Sequence, residues 1–412
     1  MEFCMKARQG VKLCFNSKET EAVKIAVDSL KQDLKKVLPG ITVIKQEESE
    51  EDRKIKPDKA KKKESDLAVI VIKTIVQDEV QEIEKWMFDE NGALRKEAYQ
   101  WKIQDNTLFI TGTDKRGTIY GIYSFCEWMG VSPWYFFADV PVKEKSELVL
   151  LEKDCHTDYP SVEYRGIFIN DEEELEAWVK NCMGEPTIGV KTYEKIFELL
   201  LRLKANYIWP AMHVNSFNIT PENGALADKM GIVVGTSHCD MLMRSNNREW
   251  KPWLEKKGYT DVFYDYSIEG RNREILKEYW TESAEQNCNY EVCYTLGMRG
   301  IHDSGFETKG LLGKSKEEIR DAKIALLEKI IADQREILKN TLKHKTMMTF
   351  IPYKEVLELY DHGLCVPEDM TLVWANEWCD GFYGEYSLPP RPVFYAPRKN
   401  VSDGLAVSCR VA

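Results

Sequence analysis

Six times after Pro160 the chain runs a short apolar segment straight into a cluster of ionisable and amide side chains. The apolar segments are Tyr164–Asn170, Tyr207–Ala211, Ile232–Thr236, Val292–Leu296, Met348–Ile351 and Thr371–Trp374. Helical spacing separates them, over Thr192–Lys204, Pro221–Met230, Arg273–Gln286, Ser315–Leu338 and Lys354–Tyr360. Ser315 with Glu318 reads as a capping box. Strands alternating with helices predict a parallel sheet built from βαβ units. A doubly wound sheet is the rival. It is disfavoured because no G-x-G-x-x-G follows the first strand and because every strand, not one pair, ends in polar groups. The fold class expected is therefore α/β, an incomplete (β/α)8 TIM-type barrel.

The polar clusters fall on one predicted face. They include Asp171 after the first strand, Trp209 with His213 at the second, His238 and Asp240 at the third, and Arg299, His302 and Asp303 at the fourth. Lys354 and Glu355 follow the fifth strand, and Asn376 the sixth. Gly297 and Gly300 bracket Met298 and Arg299, which lets the backbone bend sharply between charged groups. Each cluster alone reads as a cap or a surface ion pair. Six in series read as a catalytic rim.

A small mixed α/β domain precedes this region, over 1–158. Apolar residues at helical spacing predict a helix over Ser17–Leu38, stopped by Pro39-Gly40. Strands are expected at Ile41–Ile44, Leu67–Ile72 and Thr107–Thr111, and a helix around Ile119–Ser124. Residues 47–65 form a mixed-charge run without aromatics, which reads as a solvated loop. The catalytic region is assigned to 159–386 and an atypical tail to 387–412.

Composition excludes several classes. A net charge of −11 opposes general nucleic-acid binding and adhesion to anionic lipid. No apolar run approaches membrane-spanning length, and the N-terminus has no signal-peptide core. Eleven cysteines without a C-x-x-C pair predict reduced thiols and a cytoplasmic location. Six scattered histidines show no metal-ligand spacing, so no structural metal is expected. The rim is rich in carboxylates and lacks a nucleophile elbow or a phosphate loop. Glycoside hydrolysis is the chemistry such a rim suits, one carboxyl protonating the leaving oxygen and another activating water. Arg299 offers a planar fork for a substrate carboxylate, and Trp209 a face for a sugar ring.

The stretches Y-R-G-I-F-I-N-D-E-E (164–173), Y-I-W-P-A-M (207–212), G-T-S-H-C-D (235–240), Y-T-L-G-M-R-G-I-H-D (294–303) and F-I-P-Y-K-E-V (350–356) resemble glycoside hydrolase family 115, the xylan α-1,2-glucuronidases. D-K-R-G-T-I-Y-G-I-Y (114–123) and G-V-S-P-W-Y-F-F-A-D-V-P-V (130–142) resemble that family's N-terminal domain. The resemblance implies a cofactor-free inverting hydrolase that removes (4-O-methyl)glucuronic acid from glucuronoxylan or aldouronic oligosaccharides. It implies Glu355 as general acid and Asp303 as the residue handling water, with Asp240 as the competing base. Arg299 would hold the uronate, and Asp171, His238, Lys354, His302 and Asn376 would line the pocket. Asp240 departs from the family pattern, where a glutamate is usual. From Leu388 onward the likeness stops, which implies a C-terminally truncated or frame-shifted member, of impaired activity, with two open barrel edges. Two other readings stay open: a carbohydrate-binding fragment without turnover, and a barrel glycosidase for another uronic acid or an amino sugar. A homo-oligomer is compatible with all of these.

Overall fold

The computed structural model describes residues 1–48, 67–75, 84–169, 173–302, 304–305, 307–311 and 315–374, and the backbone of 405–408. Nearly all of the expected charged loop lies outside the described residues. The chain divides into two compact units. One comprises Met1–Ser161, Lys195–Ala205 and Lys229–Gly231; the other comprises Val162–Glu194, Asn206–Asp228 and Ile232–Ala412. Among the described residues no helix is long and apolar enough to cross a membrane.

In the first unit, β1 (Glu2–Lys6) and β2 (Gly10–Asn16) lead into α1 (Glu21–Val37), whose first turn is capped by the Thr20 hydroxyl accepting from the Val23 amide. Then come β3 (Thr42–Glu48), β4 (Ala68–Thr74), β5 (Tyr99–Gln104), β6 (Thr107–Gly112), α2 (Lys115–Met129), β7 (Glu147–Leu151) and β8 (Thr157–Asp158). Six strands lie in the order β3-β2-β4-β6-β5-β8, parallel from β3 to β6 and antiparallel beyond; β1 pairs separately with β7. β1, β2, β5, β7 and β8 were not expected. β3 runs past the predicted Ile44 into charged residues, as an edge strand can, because its outer row faces water.

A buried ion cluster closes this unit. The Arg202 guanidinium sits 2.8 Å from both Asp33 and Glu198, which also accepts from Tyr135 at 2.9 Å. The ring of Tyr123 lies 4.6 Å beneath the guanidinium. Removing one partner of a buried pair leaves the others desolvated and unmatched, so Arg202→Met should cost about 3–5 kcal/mol in urea unfolding. Burial pushes the Glu198 carboxyl up, but Arg202 and Lys195 outweigh it and hold the folded value below the usual one. The resulting stability is therefore present above the pKa of an unfolded glutamate and lost as pH falls through the lower folded value. Glu198→Gln should flatten that acid limb of a melting-temperature profile; an unchanged slope would contradict the assignment.

The second unit begins with β9 (Tyr164–Phe168) and α3 (Glu173–Trp178). It continues through α4 (Val190–Arg202, whose later turns belong to the first unit), β10 (Tyr207–Trp209), α5 (Pro221–Met230), β11 (Val233–Val234), α6 (Trp250–Lys257) and α7 (Arg271–Asn287). β12 (Cys293–Thr295), α8 (Lys316–Thr341), β13 (Met347–Phe350), α9 (Glu355–Asp361), β14 (Thr371–Leu372) and β15 (Leu405–Ser408) complete it. The capping box forms: the Ser315 hydroxyl accepts from the Glu318 amide, and the Glu318 carboxylate from the Ser315 amide.

Among the described residues, the strand pairings in this unit are all parallel. β15-β9-β10-β11 form one sheet and β12-β13-β14 another, and a single parallel bridge joins Val234 to Val292. The strands therefore follow one another in chain order from β9 to β14, and the residues after each gather at one edge. One outcome differs from expectation. The edge of β9 is not open, because Leu405–Ser408 in the atypical tail pairs with it from Tyr164 to Ile167. Inside the sheets Tyr207, Trp209, Val233, Cys293, Ile351 and Val373 form one core cluster, with Phe168 and Tyr353 against it. Gly166 is required here, since a Cβ would fall 1.9 Å from the Tyr207 carbonyl oxygen of the neighbouring strand.

Candidate active site

Arg299 and Glu355 follow adjacent strands, β12 and β13, and the structure joins them. The guanidinium donates from Nε to Oε1 at 2.9 Å and from Nη2 to Oε2 at 2.7 Å, a two-bond fork. Arg299 is only 1% exposed, whereas the Glu355 side chain keeps 28% of its surface in solvent. Nη1 points to the Cys239 sulfur at 4.0 Å. Tyr353 is the common wall: its ring lies 5.4 Å from the Arg299 guanidinium, 5.3 Å from the Lys354 ammonium and 4.4 Å from the His238 ring. A Cβ on Gly305 would sit 3.7 Å from the Glu355 carboxyl carbon, so that backbone packs directly against the acid. Lys354 adopts a positive φ of 48° immediately before α9, which turns the chain so that Glu355 opens the helix.

A second group lies around a small cavity of about 20 Å³, lined by Asp240, Cys239, Met212, His213, Asn246, Asn247 and His302. Asp240 is 6% exposed. The rings of His213 and His302 meet edge to face at 4.6 Å, and His213 Nδ1 lies 3.1 Å from a Glu173 carboxylate oxygen. Asn246 ties the cavity wall together, donating to the carbonyl oxygens of Cys239 and Gly300 and accepting from the His302 amide.

The strand ends are held from behind. Gly297 adopts φ 117°, a region closed to side chains with a Cβ, and the buried Gln334 amide of α8 accepts from its N–H at 2.8 Å and donates to its C=O at 2.9 Å. Thr295 donates to the Thr236 carbonyl, linking β12 to the residues after β11. Gln334→Leu would leave both Gly297 groups unmatched in the interior. About 1–3 kcal/mol of stability should be lost for each, together with a fall in whatever turnover Arg299 supports; calorimetry and rate measurement on the same preparation check it.

Of the ten expected site residues, the structure brings Arg299, Glu355, His238 and Lys354 around Tyr353, and Asp240 with His302 around the cavity. Asp171, Asp303 and Asn376 lie outside the described residues. Trp209 offers no sugar-stacking face. It is 6% exposed, donates from Nε1 to the Tyr207 hydroxyl at 2.8 Å, and meets Phe168 edge on. An inward-pointing aromatic on a buried strand fills core before it serves a ligand. Sequence reasoning passed over Tyr353, Asn246 and Gln334. Tyr353 could have been found from its place between Pro352 and Lys354 at a strand end; the two amides carry no such mark. Among the described residues no group of three or more His, Cys, Asp or Glu side chains could hold a metal ion.

A parallel-stranded α/β unit with a carboxylate, a guanidinium and imidazoles at its strand ends is the class of protein that these features define. The sequence narrows it: residues 157–391, more than half the chain, match the profile of glycosyl hydrolase family 115, and the chain belongs to that family. A solved family GH115 4-O-methyl-α-glucuronidase with specificity for decorated arabinogalactans is 33% identical, with a TM-score of 0.75 over 91% of this chain and 46% of its own. This chain thus spans a little under half the length of that relative. A GH138 enzyme targeting pectin rhamnogalacturonan II is similar at 13% identity and a TM-score of 0.47, covering 89% of this chain and 47% of that one. A β-N-acetylhexosaminidase from Bacteroides fragilis NCTC 9343 gives 11% and 0.49, covering 92% and 68%. No curated protein matches the chain.

Proposed function

We propose that this chain carries the glycosidic acid and the uronate-recognising arginine of an α-glucuronidase, at the C-terminal rim of a (β/α)8-type barrel. The observation that carries the reading is the two-bond Arg299–Glu355 fork at adjacent strand ends of a family 115 chain. The chain-ordered parallel strands, with β15 against β9, support the barrel.

In this reading Glu355 donates its proton to the glycosidic oxygen as the bond to the anomeric carbon breaks. Water attacks that carbon from the opposite face and gives its proton to Asp303, with Asp240 as the alternative acceptor. Asp171, His238, Lys354, His302 and Asn376 are proposed to line the sugar site. The substrate is α-1,2-linked (4-O-methyl)glucuronic acid on xylose, and the specificity of the solved relative makes decorated arabinogalactan the comparison substrate. Because Nε and Nη2 of Arg299 are both spent on Glu355, a uronate carboxylate reaches them only by displacing the acid. Substrate binding would then free Glu355, which takes up a proton from solvent through its exposed edge before it donates one to the glycosidic oxygen.

The test is proton NMR of the first product formed from an aldouronic oligosaccharide. Inversion releases the β-anomer first. The α-anomer first would overturn the mechanism, and no released uronate from either glycan would overturn the function.

A further inference from the structure

We infer that Asn246 is a positioning residue for this site, a single side-chain amide that fixes the loop after β11 to the loop after β12. The inference rests on the proposed glycosidase reading for its activity readout, and its exchange readout stands apart from that reading.

Asn246 is 1% exposed and lines the same cavity as Asp240 and His302. Its Nδ2 donates to the Cys239 carbonyl at 3.1 Å and to the Gly300 carbonyl at 2.8 Å. Its Oδ1 accepts from the His302 amide at 2.9 Å. Those three partners lie next to Asp240, next to Arg299, and at His302 itself. Backbone at these points cannot satisfy itself. His302 has a positive φ of 58°, and the Gly300 amide is engaged with the Ser304 carbonyl, which leaves the Gly300 carbonyl turned inward to Asn246. A planar amide with two donors on one side and an acceptor on the other meets all three at once.

Other buried asparagines of the unit also bridge separate segments: Asn215, after β10, donates to Thr187 and to the Ile188 carbonyl, after β9. Asn287 donates to Ser283 on its own helix and to Asn218, and Asn272 stitches Phe263 to Asp265. The bonds of Asn246 are set apart by where they end, beside Asp240, beside Arg299 and at His302. The Thr295–Thr236 bond and the contact of Arg299 with Cys239 also join these loops, and removing the Asn246 bonds would loosen Asp240 against Arg299. A shift of this kind costs turnover more than ground-state binding, because the transition state depends on distances that binding tolerates.

Two variants separate the parts of the claim. Asn246→Leu keeps volume and removes all three bonds. Asn246→Asp keeps the acceptor for His302 and sets an oxygen against two carbonyls. Asn287→Ala serves as a buried-amide control away from the rim. With an aldouronic oligosaccharide, both Asn246 variants should lose about 10–100-fold in kcat while KM moves by less than about 3-fold. Asn287→Ala should lose stability yet keep kcat. Hydrogen exchange at the His302 amide should speed up in Asn246→Leu and stay slow in Asn246→Asp. Unchanged kcat in either folded Asn246 variant, or a parallel loss in Asn287→Ala, overturns the positioning role. If the wild-type chain releases no uronate, the glycosidase reading fails, and the exchange result alone decides the strap: slow exchange at His302 in Asn246→Leu, or fast exchange in Asn246→Asp, removes it. Should Asn246→Leu not fold, Asn246→Asp carries both measurements.

Discussion

Glu355→Gln is expected to lower turnover of an aldouronic oligosaccharide by about 10²–10⁴-fold, the contribution of a positioned general acid. Glutamine matches glutamate in shape and keeps one oxygen for the Arg299 fork. It cannot supply a proton, and its NH2 meets the other guanidinium donor, so one of the two bonds at 2.7 and 2.9 Å is lost. Glu355 is 28% exposed, so water can solvate what the fork releases and folding should survive. Oligosaccharide binding, measured by calorimetry, should stay within about 10-fold because the loss falls on the transition state. This pattern distinguishes an enzyme from a binding fragment, for which wild type and variant would bind alike and neither would turn over. Turnover by the variant at the wild-type rate would remove Glu355 from the chemistry.

The second large effect is expected at Arg299. Lysine there replaces a planar fork by a single compact charge, and the two are not interchangeable at a bidentate site. Arg299 is 1% exposed and packs over Tyr353, so the shorter contact surface of lysine also leaves space unfilled. Loss of one charge-assisted bond is worth about 1.5–3 kcal/mol, and kcat/KM for a uronate substrate should fall about 10–150-fold. A substrate whose carboxylate is reduced to the primary alcohol should be affected much less. Equal losses for both substrates would show that Arg299 serves only to hold Glu355, and the exchange of carboxylates would be abandoned.

How far the sequence carried these conclusions varied with the length scale of the interaction. The second unit's helices and parallel strands were legible because hydrophobic period and strand-end polarity are local patterns. Arg299 and Glu355 were both legible as rim residues. Their pairing was not, since it depends on two adjacent strands bringing together residues 56 positions apart in the chain. α6 was missed, although Pro252 falls in its first turn, where proline suits a helix start. Asn246 stands in a polar stretch, Arg244–Arg248, that looks solvated, yet Arg244, Ser245 and Asn246 are buried by contacts from elsewhere. Gln334 occupies a helix position whose burial depends on the turn it clamps. Trp209 shows the opposite failure, a residue chosen for its chemistry that its strand turns into the core.

The central claim is that the Arg299–Glu355 pair is where a uronate-bearing glycan is cut. The most direct measurement is a crystal structure of Glu355→Gln with an aldouronic oligosaccharide. The claim predicts the glycosidic oxygen within about 3 Å of the residue 355 side chain and the uronate carboxylate on the Arg299 guanidinium. A sugar bound at another edge of the sheet, with the fork untouched, would contradict it.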